Sequence, residues 1–83
     1  MRHYIGLIHQ SATSYGVSFP DFPSAVTAAP SFYEAVELAA ECLALHVEAM
    51  LAEGQPIPPP SSFAQLEAKL VSGTSVLVPL RQD

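Results

Sequence analysis

Apolar and polar positions alternate at the start of the chain in the period-two pattern of a strand. From His3 to His9 the odd positions (His3, Ile5, Leu7, His9) point to one face and the even ones (Tyr4, Gly6, Ile8) to the other. Gln10–Ser14 is small, polar and of hairpin length. Tyr15–Phe19 resumes the alternation, with Tyr15, Val17 and Phe19 opposite Gly16 and Ser18. Pro20 and Pro23 bracket Asp21 and Phe22, which predicts a rigid turn presenting these two residues near the surface rather than a strand. Ser24–Ala28 is a third, shorter strand candidate.

The period then lengthens. Ser31 and Glu34 have capping-box spacing, and neither proline nor glycine occurs from Phe32 to Glu53, so a helix is predicted over that range and should stop at Gly54. Val36, Ala39, Ala40, Leu43, Val47, Met50 and Leu51 form its apolar face, while Glu34, Glu37, Glu41 and Glu48 form an acidic one. Gln55–Ser62 holds four prolines and must be extended and stiff. Ser62 and Gln65 repeat the cap spacing and open a short helix with Phe63, Leu66 and Leu70 on one side, stopped by Gly73. Ser75–Leu80 is the last strand.

These elements predict the α+β class: three antiparallel strands plus a final edge strand, order 3-2-1-4, with one long and one short helix on one face. Pro79 lacks an amide donor and so belongs at an edge. The helical crossover favours a last strand parallel to the first. Ile5, Leu7, Val17 and Phe19 make the stronger apolar face and are expected beneath the long helix. That helix, roughly 33 Å long, outreaches strands of roughly 20 Å. Met50, Leu51 and Ile57 would then form an overhang that a second copy covers, which predicts a homodimer. The alternative is that the proline segment and second helix fold back and cover it within one chain.

The length, 83 residues, sets the limit of one domain spanning 1–83. Hydrophobic residues make up 49% and charged ones 13%, the balance of a folding chain rather than a disordered one. A single cysteine, Cys42, excludes an internal disulfide framework. With no apolar run of membrane-spanning length and no signal-peptide pattern, no membrane partner is expected and the cytoplasm is the expected location. Net charge is −5, and Arg2, Lys69 and Arg81 are too few for a basic patch, which argues against direct nucleic-acid binding and for a basic protein partner.

Candidate chemistry is sparse. Two-metal nuclease chemistry needs several converging carboxylates, and the first, second and last strands contain none. Asp21 stands alone in its turn, either as a partner contact or as an acceptor for nearby amides. Cys42 and His46 share a helix face, but nothing in the spacing brings His3 or His9 beside them, so no metal site is expected. No nucleophile elbow or phosphate-binding glycine loop occurs. The expectation is a protein that is not an enzyme, with no catalytic residue, metal or cofactor.

A longer pattern joins several of these segments. Tyr4-Ile5-Gly6-Leu7-Ile8 leads to Tyr15-Gly16-Val17-Ser18-Phe19-Pro20-Asp21-Phe22-Pro23. Glu34-Ala35, Leu43-x-x-His46-x-x-x-Met50, Gly54, Pro56-Ile57-Pro58 and Val76-Leu77-Val78-Pro79 follow. Together they resemble the N-terminal domain of HicB-type antitoxins over nearly the whole chain. The resemblance implies a partial RNase H-like fold and the function of an antitoxin that binds and occludes a HicA-type toxin, a small basic ribonuclease. The expected partner-binding residues are then Asp21, Phe22, Glu34, Glu37 and Glu41. Ser24 stands where the family usually has glycine. The family's usual C-terminal DNA-binding domain is not matched before Asp83, so autorepression is not expected of these residues. An oligomerisation module without a toxin partner is the alternative reading, and a metal-dependent nuclease a third.

Overall fold

The structure, a computed structural model, describes residues 2–66 and 73–81. Its elements are β1 (His3–Gln10), β2 (Tyr15–Phe19), β3 (Phe22–Ala29), α1 (Phe32–Ala52), α2 (Phe63–Leu66) and β4 (Thr74–Pro79). The strands form one sheet in the order β3-β2-β1-β4, as the sequence predicts. Leu70 of the expected second helix lies outside the described residues.

Both helix starts use the predicted caps. Ser31 Oγ accepts from the Glu34 amide at 3.2 Å. Ser62 and Gln65 cap reciprocally, the Ser62 amide donating to Gln65 Oε1 at 2.8 Å and the Gln65 amide to Ser62 Oγ at 3.2 Å. Gly54, at φ 74°, ends α1 in the left-handed region that glycine adopts without strain.

Four expectations about the fold are corrected. The first is the start of β3. A register shift between Ser18 and Phe19 lets Phe19 pair with Phe22 across Pro20 and Asp21, so the strand begins two residues earlier than expected. Pro23 fits inside it because β3 is an edge strand, where a missing donor breaks no ladder bond.

The second correction concerns faces. The β1–β2 register pairs Leu7 with Ser18 and Ile8 with Val17, so odd positions of β1 share a face with even positions of β2. Tyr4 and Ile8, rather than Ile5 and Leu7, join Val17 and Phe19 in the core. That core packs against Ala35, Ala39, Ala40, Leu43 and Val47 of α1 and is completed by Phe22, Ala25, Ala29, Val78 and Leu80. Burial of each large side chain in it contributes about 1.5–3 kcal/mol. Ile5, Leu7 and Leu66 are buried outside this cluster.

The third is the direction of β4, which pairs with β1 antiparallel, from His3 opposite Pro79 to Ile8 opposite Thr74. The chain makes two passes between β3 and β4, not one. After α1 the proline segment meets Tyr4 near the start of β1, where the Tyr4 hydroxyl donates to the Pro58 carbonyl. The chain reaches the far end of β1 by Gly73, at φ 82°, where a Cβ would stand 2.7 Å from both the Ile8 carbonyl oxygen and His9 Nδ1. A second pass reverses the strand that follows it.

The same fold-back corrects the expected overhang. Met50 and Ile57 are half-buried against the chain's own core, and only Leu51 of that trio stays largely open, at 51% exposure. Among the described residues no helix is long and apolar enough to cross a membrane.

Candidate functional site

The chemistry-bearing side chains lie on one side of α1 and in the turn between β2 and β3. Glu34, Glu37 and Glu41 are all exposed, because the residues that interleave with them (Ala35, Ala39, Ala40) take the side facing the sheet. The three carboxylates recur at helical spacing and so share one side of the helix. They border a groove of about 660 Å³ that also touches Pro30, Pro79 and Arg81. Tyr33 projects beside them at 72% exposure. The Glu37 carboxylate, by accepting a hydrogen bond from the Tyr33 hydroxyl and then by its negative charge, raises the Tyr33 phenol above its ordinary range. The result is an acidic surface interleaved with exposed aromatic and apolar side chains, including Phe32 and Val36.

Asp21 and Phe22 behave differently from one another. Phe22 was expected near the surface, yet it is only 2% exposed. Its ring meets Tyr4 edge-on at 4.8 Å between centroids and His46 at 5.6 Å. The bulge that pairs Phe22 with Phe19 turns it into the core, which corrects the surface position expected of it. Asp21 remains half-buried in the turn. Its carboxylate accepts from the Ser61 amide at 2.9 Å and the Ser61 hydroxyl at 2.6 Å. It thus ties the β2–β3 turn to the proline segment 40 residues away, a connection that local spacing does not reveal. With the Tyr4–Pro58 bond, it pins that segment at two points.

The residues weighed for metal binding are not brought together. His46 packs on Phe22, and His9 adjoins Gly73 at the other end of the sheet. Burial pushes the Cys42 thiol above its ordinary range, which lowers its thiolate fraction and its reactivity. Among the described residues no three His, Cys, Asp or Glu side chains converge on a possible ion position.

One feature was missed by the sequence pattern. Leu45 lies on α1 outside the apolar face and is 67% exposed, and Val26 of β3 is 63% exposed. Both line a groove between α1 and the strand edge. The α1 period does place Leu45 off the main apolar face, but only the position of β3 puts Val26 on the border of the same groove.

The fold and sequence match known proteins. The antitoxin–toxin structure described as the HicA3 and HicB3 toxin-antitoxin complex contains a chain of TM-score 0.77 and 26% identity, with 96% of this chain and 99% of that chain covered. The antitoxin HicB of Burkholderia pseudomallei aligns at TM-score 0.83 and 23% identity over 96% of this chain, which spans 64% of that protein's length. The N-terminal domain of the same Burkholderia antitoxin aligns at TM-score 0.78 and 22% identity, covering 99% of this chain and 100% of that one. Among curated proteins none matches significantly. The profile of the family described as HicB_like antitoxin of bacterial toxin-antitoxin system matches residues 4–78, and with nearly the whole sheet and α1 inside that match, the chain belongs to the HicB-like antitoxins.

Proposed function

We propose that the chain neutralises a HicA-type ribonuclease toxin by binding it directly, without catalysis of its own, through the side of α1 that carries Glu34, Glu37 and Glu41. Membership of the antitoxin family supports this reading, as does the likeness to a chain of a HicA3 and HicB3 toxin-antitoxin complex. The observation that carries it is the exposed acidic row on a chain of net charge −5, set among apolar side chains that a partner can desolvate. The carboxylates would set encounter rate and orientation, at about 0–1 kcal/mol for each rim pair. Tyr33 and Val36 would supply the apolar contact. Asp21 would act indirectly, by holding the proline segment in place.

The test is to co-express the chain with the toxin encoded beside its gene and measure binding by calorimetry at two salt concentrations. The triple variant E34K/E37K/E41K should weaken binding about tenfold or more and remove most of its salt dependence. It should also fail to restore growth of cells expressing the toxin. Unchanged affinity in the triple variant would move the interface off this side of α1.

A further inference from the structure

The sheet has two open edges, and they are not equivalent. β3 pairs only with β2, so the outer backbone groups of this eight-residue strand have no partner strand among the described residues. An edge of this kind is usually guarded by charge, proline or a covering element. The sequence from Phe22 to Ala29 carries no charged residue, and its one proline, Pro23, sits near the beginning and leaves Ser24–Ala29 able to pair. β4 is shorter, ends on Pro79 and is followed by Arg81.

Beside the open edge of β3 runs a groove of about 410 Å³, bounded by Ser24–Thr27 on one side and by Leu38, Glu41, Cys42 and Leu45 of α1 on the other. Side chains of an added strand would alternate, one set meeting Leu45 next to α1 and the other meeting Val26 on the opposite face. Both are more than 60% exposed and so are free to be covered. Charge selects the occupant. Glu41 is the carboxylate at the groove and the chain has net charge −5, which favours a segment carrying lysine or arginine. A second copy would bring its own Glu41 and the same net charge to the edge.

From this we infer that the outer edge of β3 takes an extended segment of the basic partner as a fifth strand of the sheet, laid in the groove against α1. The inference rests on the toxin-binding reading above and specifies how that partner is held. Backbone pairing supplies affinity, and Leu45, Val26 and Glu41 select the side chains.

Amide hydrogen exchange on the chain alone and on its co-purified complex with the toxin encoded beside it tests the pairing. Alternate amides between Ser24 and Ala29 should slow by at least about tenfold in the complex. V26K and L45K should each weaken binding about tenfold without moving the melting temperature, while L77K, on the other edge strand, should leave binding unchanged. A complex that forms but leaves β3 exchange unaltered overturns strand addition and leaves the acidic-face reading standing. No complex at all removes both. Protection of β3 without the toxin, with a sedimentation mass of two chains, assigns the edge to a second copy and overturns the inference.

Discussion

On the face of the sheet that carries α1, burial reaches from one edge to the other. Ala25 and Ala29 of β3, Val17 and Phe19 of β2, Tyr4 and Ile8 of β1, and Val78 of β4 are all buried there. On the opposite face, burial among the strands is confined to β1, one of the two inner strands. Ile5 and Leu7 are buried, but Val26 of β3 and Leu77 of β4 are 63% and 58% exposed. Being apolar in a strand is therefore not enough to place a side chain in the core. It must also lie on the face that α1 covers or on a strand flanked by others. The main core lies under α1, Ile5, Leu7 and Leu66 are buried apart from it, and the exposed strand residues Val26 and Leu77 lie at the margins of the sheet.

The sharpest break in this comparison is Phe22. Phe22→Ala removes an aromatic ring from the centre of the helix-side core and should destabilise the chain by about 3–5 kcal/mol in denaturant unfolding. A cost typical of a surface site would contradict its place there. Leu7→Ala probes the other face at its buried centre and should cost about 2–3 kcal/mol. If it matches Phe22→Ala, the second face is as much a core as the first.

Tyr4→Phe keeps the ring against Phe22 and removes only the hydroxyl that holds Pro58. It should cost about 1 kcal/mol, with faster proteolysis confined to the proline segment. Uniform acceleration across the chain would show that the bond supports the core rather than the segment. Leu77→Ser, at an exposed position on the second face, should change stability by less than about 0.5 kcal/mol. A larger loss measured by thermal melting would extend the buried part of that face to the β4 edge.

Much of this fold was legible because its signals are local. The Ser31–Glu34 spacing, the absence of proline and glycine from Phe32 to Glu53 and the stop at Gly54 determine α1 within one residue of where it lies. The edge position of β4 followed from Pro79, and the acidic row followed from the period of a single helix. The block running from Tyr15 to Pro23 was specific enough to carry the family resemblance. In each case a few neighbouring residues contain the physical cause.

What the tertiary structure alone decided depends on residues far apart in the chain or on backbone geometry that residue type does not encode. Which positions of β1 face the helix was set by the registration of two strands across the Ser11–Ser14 connection, and a shift of one residue reverses every side chain. The burial of Phe22 came from a bulge and an edge that accommodates Pro23. Asp21 found Ser61 only because the chain returned after α1, and that return also made β4 antiparallel to β1. Local spacing determines which element forms. The pairing of surfaces determines which of its sides is left for a partner, since only then is it settled what each side has already buried.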